Sequence, residues 1–247
     1  MNSRVCVVAV VLGICLPLSA SLVVLPGGSD TVVTNSADDS VFGPFALNFN
    51  FSFYGGAPVT QATLSSNGNL QFGTIDNGYA NQPFPNFTPM IAPFWEDLLL
   101  PPGDLRYNNT VANQFTAIWN GAGLFLAPGE VNAEVILFGA GNSFGYAANS
   151  FVLSYGIVSN TKDNNITVGS TDGATLSTCL PGSAVDCTFT QAQAMELQDR
   201  AFLFTPAIGD APGYKVSELT GVPEPSSWVL GGLGIVLMGL LRVRRTS

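Results

Sequence analysis

Nine residues from Phe45 to Phe53, Phe-Ala-Leu-Asn-Phe-Asn-Phe-Ser-Phe, carry an apolar side chain at every second position. Side chains of a strand alternate between two faces, so this period buries one face of a sheet and wets the other. A helix would scatter the same residues around its circumference. Tyr54-Gly55-Gly56 ends the run. Strand-like runs follow at 60–65 and 69–72, joined through Asn67-Gly68, where both residues tolerate positive φ and a hairpin turn is expected. Prolines at 83, 85, 89 and 93 mark an extended loop leading into Ile91-Ala92-Pro93-Phe94-Trp95-Glu96-Asp97. Further strands are expected at 105–108, 114–119, 133–138, 150–158, 166–169 and 201–205. Turns are expected at Gly139-Ala140-Gly141-Asn142 and Asp172-Gly173, and one helix over 190–200. Residues 209–222, with Pro212 and Gly213, read as a linker. The pattern predicts a mainly β fold, an antiparallel β-sandwich-like domain.

The two ends differ from this body. Arg4, an apolar stretch over 5–16 and the small-residue exit Pro17-Leu18-Ser19-Ala20 have the three regions of a signal peptide, assigned to residues 1–20. Ile14 is too large and branched for the position before a lipidated Cys15. At the other end, Val222-Pro223-Glu224-Pro225 precedes an apolar run over 226–241 and then Arg242, Arg244 and Arg245. Two prolines keep the motif extended and short of hydrogen-bond donors. The run of 16 residues makes a helix of roughly 24 Å, shorter than the ~30 Å hydrocarbon core. Trp228 suits one membrane interface, and the arginines hold the tail on the cytoplasmic side. This three-part end, residues 223–247, resembles the PEP-CTERM sorting signal of Gram-negative bacteria, which is read by exosortase. The resemblance implies a protein anchored in the inner membrane before processing, then cut near the motif and moved to the cell surface or outside it.

Between the ends, residues 21–222 hold four basic residues against sixteen acidic ones, a net charge of −12. Phosphates would be repelled, which excludes a nucleic-acid partner. The chain has no histidine, so Gly141-Asn142-Ser143-Phe144-Gly145, although it fits G-x-S-x-G, cannot belong to a Ser-His-Asp triad and reads as a turn. Zinc, copper and haem sites of the usual kinds are removed by the same absence. Cys179 and Cys187 flank a segment with Pro181 and Gly182, which predicts a disulfide closing a short loop. Calcium needs only oxygen ligands and stays open. Glu96, Asp97 and Asp104 are its candidates, with Asp172 beside the Gly173 turn; the alternative is solvated loop carboxylates. Glu96, Glu130 and Glu134 could supply paired carboxylates for glycoside hydrolysis, but no spacing selects a pair. Trp95, Trp119, Tyr107 and Phe94 could stack on sugar rings or fill the core. The strand parity of Trp119 favours the core; Trp95, after a proline loop, is evenly balanced, and with Glu96 and Asp97 it is the candidate ligand-binding residue.

Several segments, in this order, resemble the extracellular domain of nidogen: the alternating Phe strand ending in Phe53-Tyr54-Gly55, then Leu64-Ser65-Ser66-Asn67-Gly68-Asn69-Leu70-Gln71-Phe72-Gly73, the Ile91–Asp97 run, and Phe115-Thr116-Ala117-Ile118-Trp119. Val135-Ile136-Leu137-Phe138, Phe151-Val152-Leu153-Ser154-Tyr155-Gly156 and Ile166-Thr167-Val168-Gly169 complete the series. The likeness covers about 42–173 of a domain assigned to 21–208. Leu98-Leu99-Leu100-Pro101-Pro102 departs from it, where family members usually continue with polar or acidic residues. The resemblance carries no catalytic residues; it implies a β fold and a non-enzymatic role in adhesion or matrix structure. The competing expectation is a carbohydrate-binding module that recognises exopolysaccharide.

Overall fold

The computed structural model describes residues 29–160, 165–207 and 212–219. The signal peptide, the sorting motif at 222–225, the apolar run over 226–241 and the terminal arginines lie outside the described residues. In chain order the elements are β1 (Thr31–Thr34), β2 (Val41–Phe51), β3 (Val59–Ser65), β4 (Asn69–Gln71), β5 (Met90–Trp95), β6 (Leu98–Leu99), β7 (Asp104–Asn108) and β8 (Gln114–Leu124). They continue with β9 (Ala127–Phe138), β10 (Phe151–Val158), β11 (Ile166–Thr171), β12 (Ser177–Cys179), β13 (Thr188–Phe189), α1 (Gln191–Met195), β14 (Ala201–Pro206) and β15 (Tyr214–Glu218). One sheet runs β1-β7-β8-β9-β10-β14-β15 with β6 on β8; the other runs β12-β11-β5-β4-β3-β2 with β13 on β11. Every pairing is antiparallel.

The two sheets share one core. Phe51, Leu64 and Phe94 from the second sheet meet Trp119, Val135 and Phe151 from the first. Buried hydrogen bonds also link the layers: Trp119 Nε1 donates to the Ser65 carbonyl at 2.8 Å, and Tyr155 Oη to the Pro93 carbonyl at 2.8 Å. Burial holds the Tyr155 phenol well above its usual pKa, so it stays a neutral donor. The alternation of Phe45–Phe53 is borne out: Leu47, Phe51 and Phe53 are buried, while Ala46, Asn48 and Asn50 are exposed. The strand itself is Val41–Phe51, and Phe53–Gly55 forms a 3₁₀ turn instead, with Tyr54 at φ 51°.

Two expectations are corrected. The helix over 190–200 is only Gln191–Met195, opened by a capping box between Thr190 and Gln193. It stops early because Asp199 takes positive φ and the Arg200 carbonyl accepts from Tyr155 N–H at 2.9 Å, drawing the chain into β14. The segment 209–222 is not all linker. Tyr214–Glu218 forms β15 on β14, Tyr214 is buried against Phe151 and Phe204, and Arg200 holds Glu218 through bonds of 2.7 and 2.9 Å. With Lys215 and Glu218 on a short strand, its alternation is too brief to stand out in the sequence. Among the described residues no helix is long and apolar enough to cross a membrane.

Candidate functional site

The Asn67-Gly68 turn between β3 and β4 is buried rather than free. Asn67 Oδ1 accepts from Leu98 N–H at 3.1 Å, and its Nδ2 donates to Asp39 Oδ1 at 3.0 Å. The Ser65 hydroxyl accepts from Asn67 N–H at 3.1 Å. Gly68 has φ +79°, and a Cβ added there would sit 1.8 Å from the Phe94 carbonyl oxygen. The turn therefore lies flat on β5 and pins Asp39 beside Asp97.

Around it, Asp38, Asp39 and Asp97 each bring one carboxylate oxygen within 4.8 Å of the others. Asp97 arrives from just beyond the end of β5; Asp38 and Asp39 arrive from the loop before β2, 58 residues earlier in the chain at the nearest. Their only mark in the sequence is an Asp-Asp doublet ahead of the alternating strand. The other candidates go elsewhere. Glu96 is buried, 1 % exposed. Asp104 is taken by Arg106 Nε at 2.7 Å and Asn120 Nδ2 at 3.1 Å, and the Arg106 bond holds its carboxyl below the usual range. Asp172 Oδ1 accepts three backbone N–H bonds of 2.9 Å from Ala174, Thr175 and Leu176, which makes it the keystone of the β11–β12 turn. Calcium takes six to eight oxygens; the described carboxylates supply three, two of them on exposed residues. The cluster is a local concentration of negative charge, and Glu96 and Asp104 are no part of it.

Trp95 is fully buried and cannot stack on a ligand. A bulge decides which face it takes. β5 pairs Ala92 with Gly169 but Trp95 with Thr167, three residues against two, and Pro93 sits in the irregular stretch. Trp95 therefore turns to the outer face of the second sheet, where Phe84, Met90 and the Cys179–Cys187 disulfide cover it. The disulfide is as the sequence predicted. Its loop is tied down by Phe84 N–H to the Asp186 carbonyl, 2.8 Å, and Val168 N–H to the Cys187 carbonyl, 3.0 Å. A chain-entropy estimate for so short a loop is roughly 2.5 kcal/mol. The Cys179→Ala/Cys187→Ala double variant should lose about that much in urea unfolding, with the dithiothreitol-reduced parent matching it; an unchanged midpoint would show that the cover over Trp95 holds without the bond.

The remaining sequence readings find their places. Trp119 is core. Asn142 of the G-x-S-x-G stretch donates to the Gly139 and Tyr146 carbonyls at 2.9 and 2.8 Å, forming a turn after β9. Glu134 lies on the outer face of the first sheet, 3 % exposed, with no hydrogen bond to either oxygen. The departure at Leu98-Leu99-Leu100 serves the core, since Leu98 and Leu100 are buried and Leu100 N–H bonds the Ala37 carbonyl at 2.9 Å.

The family model described as NIDO related matches residues 21–206. The chain belongs to the NIDO-related family. Its matched region takes in both sheets up to β14, and β15 lies beyond it. A second model, the PEP-CTERM protein-sorting motif, matches residues 221–245, directly after β15. That motif marks an exported protein sorted by exosortase. Neither the curated proteins nor the solved structures yield a match.

Proposed function

We propose that the NIDO-related domain is the cargo of an exosortase pathway and serves, without catalysis, as an adhesive or structural element at the cell surface or in the extracellular matrix. One observation carries the reading: a compact β domain ends at Glu218, and the sorting motif begins three residues later. Residues 1–20 act as a signal peptide, and 226–241 span the inner membrane until the chain is cut near Pro223-Glu224-Pro225. The absence of histidine removes a Ser-His-Asp triad and the usual zinc chemistry, which supports a non-enzymatic role. Intact-mass measurement of surface-extracted protein should show loss of both ends, and cells lacking the gene should clump less. A mature mass that retains Trp228–Ser247 would leave a plain membrane anchor, and unchanged clumping would remove the adhesive role.

A further inference from the structure

We propose that the outer face of the β2–β3 ladder is a binding groove for a neutral, hydroxyl-rich polysaccharide segment. This rests on the surface role above and names what the domain would hold there. A cleft of about 370 Å³ lies on this face, lined by Thr60, Gln61, Thr63 and Gln71 with Pro44, Pro58 and Ile75 among its walls. A second hollow, about 350 Å³, continues it past Asn48, Phe49 and Asn50, and Thr60 and Gln61 line both.

Three features make this a built site. Ala62 and Leu64 belong to the shared core, so by strand alternation Thr63 faces the cleft, opposite Gln71. Thr63 is 7 % exposed and its hydroxyl has no hydrogen-bond partner. A buried hydroxyl without a partner is destabilising by about 1–3 kcal/mol, which a ligand hydroxyl would relieve. The wall is also held in place: Gln71 Nε2 donates to the Asp76 carbonyl at 2.6 Å, and its Oε1 accepts from Asp76 N–H at 2.7 Å. This fixes the 73–76 segment, including Ile75, before any ligand arrives.

The chemistry selects the ligand class. No charged residue lines either hollow. Hydroxyls and amides match sugar hydroxyls, while proline rings and Ile75 meet the C–H faces of sugar rings. A body charge of −12 repels uronate or sulfate polymers. An extended peptide would instead add to the free edge of β2. That edge is broken by Pro44, by positive φ at Gly43 and Asn48, and by register shifts on both sides of Phe45-Ala46, all of which disfavour strand addition.

The test is affinity electrophoresis of the full chain in mild detergent through gels containing dextran, laminarin or galactomannan, with alginate as the acidic polymer. At least one neutral polymer should retard the protein and alginate should not. Thr63→Val, which removes the hydroxyl and keeps the shape, should weaken retardation at least five-fold with an unchanged or higher Tm. Phe87→Ala, at a 93 % exposed position outside the groove, should migrate as the parent does. Parent-like retardation of Thr63→Val, equal retardation by alginate, none by any neutral polymer, or displacement by an extended peptide would each overturn the groove. Absence of retardation leaves the surface role standing, because mass and clumping read that role separately.

Discussion

Gly68→Ala is expected to lower unfolding stability by roughly 2–5 kcal/mol, a large loss for so small a change. Two penalties add. An L side chain at φ +79° costs about 1–2 kcal/mol, and Asn67-Gly68 offers no room to relax because both Asn67 amide atoms are engaged. The second penalty is overlap. The new methyl would lie 1.8 Å from the Phe94 carbonyl oxygen, a backbone atom that moves only with the whole of β5. Overpacking of a fixed core is worth about 1–3 kcal/mol or more. Gly145→Ala separates the two effects, since Gly145 has φ +72° and nothing within 4 Å of the added carbon. Urea unfolding should show about 1–2 kcal/mol for Gly145→Ala and at least twice that for Gly68→Ala. Equal losses would mean that backbone conformation alone sets the value and that the turn does not press on β5.

The same turn shows why the fold was legible and the site was not. Asn67-Gly68 announces itself through local backbone chemistry, and Phe45–Phe53 through its period; both signals lie within ten residues and need no knowledge of the partner strand. Trp95 had no such signal. Its face is set by a bulge against β11, some seventy residues on, and its cover comes from Phe84 and a disulfide still further along. Parity counted through Pro93 gives the wrong face. Asp38 and Asp39 carry no local signal for a related reason: carboxylates near each other in sequence, such as Glu96, Asp97 and Asp104, look like a cluster, but strand alternation and an intervening strand send them to different places. Thr63 could be seen as a strand residue, yet nothing local distinguishes a hydroxyl that finds a partner from one that does not. The β15 strand was hidden by its neighbours Pro212 and Gly213, which are sound loop signals for the turn before it.

Glu134→Leu is expected to stabilise the protein at pH 7.5 by about 2–4 kcal/mol, an unusual outcome for replacing a strand residue. Glu134 sits on β9 opposite Ile118 of β8 and Ser154 of β10, beside the apolar cluster of Ile136, Phe138, Val152 and Ala201. Both carboxylate oxygens lack a hydrogen bond. Burial, and then the negative charge of Asp30, push its pKa well above the ordinary glutamate value. The folded chain therefore keeps this proton to higher pH than the unfolded chain does. With more protons bound in the folded state, stability falls as pH rises, by at most about 1.4 kcal/mol per pH unit for one proton. The loss begins near the unfolded glutamate pKa, about 4.3, and continues until the folded carboxyl ionises. Leucine removes both the unsatisfied oxygens, each worth about 1–3 kcal/mol, and the titration. Parent and variant unfolding free energies should thus differ least near pH 4 and diverge toward pH 7.5, with Glu134→Gln showing the flattened pH profile but less of the constant gain. A pH-independent difference between parent and leucine variant would show that Glu134 is already ionised in the folded protein, and a destabilised variant at every pH would show that its carboxylate has a partner on this face.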